Sequence, residues 1–241
     1  MIDKRPARIA AMFDAIAPRY DLLNHVLSIG LDRAWRRKAI RALALTGREH
    51  LLDLCTGTGD LALAAMNGAP PARRVTGVDM ADAMLQRGRA KVDYRSAGRA
   101  APLAIAFARA DVTRLPLADA SVDACVVAFG IRNVEALDQA LADVRRVLRP
   151  GGRFVILEFG TPRRRVVAVV TRAVVHAIVP LVGRLVSGHG RAYSYLPESM
   201  DAFPSGPALV ARLERAGFAD AGFEALVPGL VYLYVARRAP L

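Results

Sequence analysis

"LLDLCTGTGDLA", Leu51 to Ala62, is an apolar run that breaks into a glycine turn and resumes with the spacing of a helix. Such a turn brings bare backbone amides up to a ligand at the carboxyl end of a strand. Two templates fit it. Gly57, Gly59 and Ala62 satisfy the dinucleotide fingerprint G-x-G-x-x-G/A. Asp53, Gly57 and Gly59 equally satisfy D-x-G-x-G-x-G, the turn pattern of S-adenosylmethionine-binding chains, with Cys55 where the first glycine would stand. The flanking chain has to choose between them.

Around this turn, strands and helices alternate. Leu51–Cys55, Val75–Val78, Leu103–Ala108, Ala124–Phe129 and Phe154–Leu157 are short, apolar and bounded by Gly, Pro or Asp, so they read as buried strands. Amphipathic stretches at 60–67, 82–97 and 134–148 read as helices, the last stopped by "RPGG" at Arg149–Gly152. Residues 5–46 are helical in pattern, with Leu31, Trp35, Ala39 and Leu43 recurring every four residues and Asp32 placed to cap. After a helix at 205–216 the rhythm changes to two strands around "VPGL", an antiparallel hairpin. The pattern predicts an α/β fold: a Rossmann-like, doubly wound, mostly parallel sheet closed by an antiparallel C-terminal hairpin, as in class I methyltransferases. A single domain over residues 1–241 is expected. It divides into a helical N-terminal cap (1–46), a cofactor-binding core (47–160), a helical lid insertion (161–200) and a C-terminal helix with hairpin (201–241).

The totals agree with one large core: 241 residues, 54% hydrophobic. Cys55 and Cys125 lie in apolar runs and read as core residues of a reducing compartment. The four histidines follow no ligand spacing, so no metal site is expected. The N-terminus lacks the apolar stretch of a signal peptide, which predicts a cytoplasmic protein. A net charge of +12 points to an anionic partner or surface.

Carboxylates choose the ligand. In this fold ligands lie at the carboxyl ends of the strands, where Asp53, Asp79 and Asp111 fall, with Asp60 on the first turn after the glycines. Asp79, next to Met80, suits a ribose in either template. Asp53 and Asp60 would repel a pyrophosphate but favour the sulfonium and ammonium of S-adenosylmethionine. An acidic residue after the third strand, Asp111, suits an adenine amino group, with the Val112 backbone against the ring. The expected cofactor is S-adenosylmethionine.

The acceptor is read elsewhere. The end of the fourth strand carries "AFGIRN", Ala128 to Asn133, and not the Asn/Asp-Pro-Pro-Tyr motif of amino-directed nucleic-acid enzymes. No nucleic-acid partner is therefore expected, although the charge keeps an RNA methyltransferase as a distant rival, beside a non-catalytic cofactor-binding protein. "MFDAIAPRYDLLNHVLSIGLDRAWRR", "TGTGDLA", "AFGIRNV", "RVLRPGGRFVILEFGTP" and "YSYLPES" together resemble the menaquinone/ubiquinone biosynthesis C-methyltransferases over Phe13 to about Phe218. The resemblance implies C-methylation of a prenylated quinol. Demethylmenaquinol is the acceptor it favours, and 2-methoxy-6-polyprenyl-1,4-benzoquinol is the alternative. It also implies cofactor contacts at Thr58, Asp79, Asp111 and Val112. Many members have Ser where this chain has Ala128, so a hydroxyl contact there is lost.

For the chemistry, Arg132 is the candidate to stabilise a developing phenolate, since guanidinium does not deprotonate and cannot be the base. Asn133 and Tyr20 are candidates to place a water or the quinol oxygen, with capping of a helix at Val134 the competing use of Asn133. His189 is a weaker candidate for the base. Between Glu158 and Glu198 there is no acidic residue, whereas Arg163, Arg164, Arg165, Arg172, Arg184 and Arg191 all fall there, within a nearly apolar stretch. Arg172 and Pro180 argue against a membrane span. A helical lid that covers a prenyl-tail pocket or rests on an anionic membrane is the expectation, with a buried helix packed on the sheet or in a homodimer interface the competing use of residues 163–191.

Overall fold

A computed structural model describes residues 3–161, 190–227 and 229–240. Seven strands form one sheet: β1 (His50–Leu54), β2 (Arg74–Asp79), β3 (Ile105–Arg109), β4 (Val122–Ala128), β5 (Leu148–Phe159), β6 (Phe218–Val227) and β7 (Val231–Arg238). Their order is β3-β2-β1-β4-β5-β7-β6. β1 to β5 pair in parallel, and β7 runs antiparallel to both β5 and β6, closing the sheet with the expected hairpin.

Three helices precede the sheet: α1 (Pro6–Ile16), α2 (Tyr20–Leu27) and α3 (Asp32–Ala42), with a 3-10 turn at Ala17–Arg19 between the first two. Helices α4 (Asp60–Met66), α5 (Asp82–Ser96) and α6 (Leu137–Val147) are the crossovers between parallel strands. Helices α7 (Gly190–Ala202) and α8 (Pro207–Arg215) precede the hairpin.

Alternation along each strand divides the core. From β1 and β4, Leu52, Leu54, Cys125 and Val127 pack with α6 and α8. Leu51, Ala124 and Val126 pack on the opposite face with α3 and α4. Because β1 lies between β2 and β4, the chain leaves β1 in one direction and returns on its other side. Crossovers diverge there, opening a crevice at the carboxyl ends of β1 and β4.

Several local expectations are corrected. Asp32 starts α3 but makes no cap bond; its carboxylate instead accepts from Arg36 one turn on, at 2.5 Å. Asn133 caps no helix, since it ends a 3-10 turn at Ile131–Asn133 and α6 starts only at Leu137. "RPGG" is not a stop after α6 but the start of β5, with a register shift against β4 between Val122 and Ala124. The third strand runs from Ile105, not Leu103, and the expected 205–216 helix is α8, preceded by α7. Most of the lid, with His189 and the basic apolar run, lies outside the described residues. Among the described residues no helix is long and apolar enough to cross a membrane.

Candidate active site

Two residues at the strand ends hold left-handed backbone without being glycine: Cys55 after β1 (φ 49°) and Phe129 after β4 (φ 59°). Non-glycine residues there cost energy that the surrounding packing must offset, and such sites border function. Between them Gly130 has no room for a side chain, because an added Cβ would lie 2.3 Å from the Cys55 Cβ. The two loops are thus pressed together at the switch point.

The carboxylates are fixed by backbone. Asp79, at the end of β2, accepts from the amides of Gly57 and Ala81, each at 2.9 Å. Burial pushes its carboxyl above the usual range, although these amides favour the charge. Asp111 accepts from the Thr113 amide at 2.9 Å and its hydroxyl at 2.8 Å. Around them lies a cavity of about 270 Å³ lined by Gly57, Asp79, Met80, Asp111, Val112, Ala128 and Asn133, and roofed by Phe13 and Tyr20.

Four expected site residues fall outside that cavity. Asp53 is buried beneath the turn, where it accepts from the Thr56 hydroxyl at 2.6 Å, so its contact with a ligand is indirect. Burial drives its carboxyl up to about 7. Gly59 is required by packing: an added Cβ would meet the Phe107 ring at 2.7 Å, and its φ is 77°. The Thr58 hydroxyl donates to Asp21 of α2 at 2.5 Å and accepts from Lys91 at 2.8 Å. Lys91 also pairs with Asp60 at 2.6 Å and with Asp21 at 2.7 Å. The Asp60 charge is therefore matched inside the protein, which corrects the weight given to it in choosing the ligand.

Arg132 is the fourth. Its guanidinium turns to a second cavity of about 140 Å³. It donates to the Glu158 carboxylate at 2.8 Å, to the Phe129 carbonyl and to the Ser199 hydroxyl at 3.3 Å. Glu158 has no exposed surface, so the pair is buried and the guanidinium charge is compensated. Arg132 is thus an oriented donor whose charge is already paired. The second cavity is otherwise mostly apolar, with Trp35, Phe159, Leu196, Met200 and Leu230 on its wall. It shares Phe13, Tyr20 and Phe129 with the first.

The first cavity presents hydrogen-bond acceptors, the carboxylates of Asp79 and Asp111, and beside it the Asn133 Oδ1 is buried without a partner. Such a set fits amines and ribose hydroxyls and repels phosphate. Lys4, on the rim, donates at 2.6 Å to the Arg132 carbonyl. Fold and acceptor set together define a class I, S-adenosylmethionine-dependent methyltransferase.

Comparison with known proteins narrows the class. The chain belongs to the ubiE/COQ5 methyltransferase family, whose model matches residues 1–238. It is 41% identical to a demethylmenaquinone methyltransferase of Bacteroides fragilis, over 98% of this chain and 94% of the relative. It is 42% identical to a ubiquinone/menaquinone biosynthesis C-methyltransferase of Syntrophotalea carbinolica, over 98% and 97%. Among solved structures, an S-adenosylmethionine-dependent methyltransferase from Mesorhizobium loti shares the fold, with a TM-score of 0.59, 24% identity, and coverage of 87% of this chain and all of that one.

Sequence reasoning missed the partners that act at long range. Glu158 was visible only as the last acid before a basic stretch, and its pairing with Arg132 spans 26 positions. Lys4, Asp21 and Lys91 carried no local signal at all, whereas Arg36 had one in its i,i+4 spacing from Asp32. The first three meet their partners only through tertiary contact of the N-terminal segment with the 3-10 turn or α5.

Proposed function

We propose that this methyltransferase transfers a methyl group from S-adenosylmethionine to a ring carbon of demethylmenaquinol. The observation that carries the reading is the junction of the two cavities: an acceptor-lined cavity and a mostly apolar one share Phe13, Tyr20 and Phe129 as lining. An amine-rich cofactor suits the first, and a prenylated aromatic ring suits the second.

When bound, the cofactor supplies an already electrophilic methyl group. Asp79 would hold its ribose and Asp111, with the Val112 backbone, its adenine. The protein's remaining task is alignment and exclusion of water. A phenolic hydroxyl has a reference pKa of about 10, so the ring oxygen beside the accepting carbon needs help to ionise. Arg132, one residue before Asn133 and fixed by Glu158, is the donor we assign to that oxygen. Burial raises the Tyr20 hydroxyl above its ordinary value, so it stays neutral and able to donate at the junction.

The relatives' names support quinol chemistry and include both ring types. Labelled methyl transfer to demethylmenaquinol and to the methoxy-benzoquinol tests the reading. Label in demethylmenaquinol is expected, and label in neither ring overturns it. We propose in addition that the chain acts at the inner face of the cytoplasmic membrane, with residues 163–191 as the contact. Flotation with anionic liposomes checks this, and failure to co-float at low salt removes it. A homodimer through the same residues is the competing proposal, and sedimentation at several concentrations reads it.

A further inference from the structure

The second cavity holds a guanidinium that the reaction so far does not use. Arg36 of α3 is 9% exposed and lines the cavity beside Asp32, Trp35 and Phe129. Its Nη1 donates to Asp32 Oδ2 at 2.5 Å, and among the described residues no other hydrogen bond from its side chain is formed. Guanidinium carries five N–H donors, so one edge remains available.

Two features fix where that edge lies. The first is Asp32, which also accepts from the Ser28 hydroxyl at 2.9 Å and meets His25 Nδ1 at 3.2 Å. Burial opposes the Asp32 charge, but Arg36, Ser28 and His25 outweigh it and hold the carboxyl below its ordinary value. Asp32 is an anchor already engaged on both oxygens, so what Arg36 adds to this corner is its free N–H donors. The second is an aromatic floor. Phe129 and Phe159 pack with centroids 4.5 Å apart. The Arg36 guanidinium carbon lies 5.8 Å from the Phe129 centroid, and that of Arg132 lies 5.5 Å from the Phe159 centroid. Two guanidiniums therefore stand over neighbouring rings of one apolar cavity, each held by its own buried carboxylate.

A single aromatic hydroxyl has no use for two such groups. We propose that Arg36 is a specificity-determining residue: it binds the second ring oxygen of the acceptor, para to the oxygen faced by Arg132, and so selects 1,4-dioxygenated rings. Asp32 is its positioning residue. The assignment rests on the quinol reading above and adds which part of the ring each guanidinium reads. Arg132 takes the oxygen beside the accepting carbon because it adjoins Asn133 in the cofactor cavity. Arg36 approaches from α3, over Phe129 rather than Phe159.

The test compares two acceptors on the full-length protein: a short-chain demethylated 1,4-naphthoquinol, and the same ring lacking the oxygen farther from the accepting carbon. With labelled S-adenosylmethionine, the wild type should favour the diol by on the order of 100-fold in kcat/KM. Arg36→Met should lower the diol rate to about the level of the mono-ol while leaving the mono-ol rate within about 3-fold, because only the diol presents the lost contact. Calorimetric affinity for S-adenosylhomocysteine should not change, which reads folding independently of the acceptor. Should Arg36→Met fail to bind that ligand, Arg36→Lys reads the same preference, since it keeps a charge beside Asp32 without the planar fork. A variant that binds the cofactor product and still favours the diol as the wild type does overturns the assignment with the quinol reading intact. A wild type that methylates neither ring overturns both.

Discussion

At the scale of single residues, the site is organised by what each buried group can tolerate. Asp53 is the clearest case. Its folded pKa is raised from the ordinary carboxylate range to about 7 because burial disfavours its charge. Its contribution to stability is therefore complete below the unfolded value and is lost as pH rises through about 7. Asp53→Asn keeps an oxygen for the Thr56 hydroxyl and has no charge to bury, so its melting temperature relative to wild type should climb between pH 5 and pH 8. A flat difference across that range would contradict the burial argument. Glu158 tests the opposite situation, a charge that must stay. Glu158→Ala leaves the Arg132 guanidinium buried without its counter-ion and should cost about 3–5 kcal/mol by denaturant unfolding. Gly59→Ala combines a Cβ 2.7 Å from the Phe107 ring with a left-handed backbone and should cost roughly 1–3 kcal/mol. Its loss is one of packing between α4 and β3, not of a ligand contact.

Elements repeat the lesson with longer reach, and they explain what the sequence could show. Strand and helix order was legible because burial on both faces leaves near-continuous apolar runs such as "CVVA", and because glycine and proline punctuate them. Asp79, Asp111 and the glycine turn were legible for the same reason, since the fold puts strand ends at the ligand. The misread residues are those whose partner lies elsewhere. Asp32 has the composition of a cap, and although its pairing with Arg36 is a local i,i+4 contact, the place of both on the second cavity follows from where α3 packs. Asp60 looked like a charge aimed at the ligand, but Lys91 comes from α5, 31 positions away. Asn133 fits a capping pattern, and only the 3-10 turn before α6 leaves its Oδ1 buried without a partner. The Asp21–Lys91–Asp60 network also makes a prediction at this scale. It ties α2 to the glycine turn through partly exposed charges, each pair of which contributes only about 0–1 kcal/mol. Lys91→Met should shift the melting temperature little but weaken S-adenosylmethionine binding several-fold by calorimetry, because Asp21 and Asp60 lose their shared cation and only the Thr58–Asp21 bond still ties α2 to the turn.

For the whole molecule, the N-terminal helices are a cover that reaches across the sheet ends. Helix α1 is fastened on both sides of the cofactor cavity. On the β4 side Lys4, just before α1, donates to the Arg132 carbonyl at 2.6 Å. On the β2 side Asp14 accepts from the Ala83 amide at 2.8 Å, in the first turn of α5. Helix α5 has no side-chain cap of its own, so Asp14 supplies one from another helix and places a negative charge at the positive end of the dipole. Phe13, between those fastenings, lines both cavities, so the same movement that admits the cofactor would reshape the acceptor site. Asp14→Ala removes one fastening without touching the cavity lining. A cap of this kind stabilises by about 1 kcal/mol, which corresponds to roughly a 5-fold change in rate if it is broken before release. Release of S-adenosylhomocysteine, followed by stopped-flow displacement, should accelerate by about that factor. Trp35, the single tryptophan, lines the acceptor cavity and would report the coupled change there by its fluorescence. If Asp14→Ala lowers the melting temperature but leaves the release rate unchanged, α1 is a structural brace and the cofactor leaves by another route. If both change and Trp35 responds on the same time course, opening of the N-terminal cover is the step that couples the two cavities.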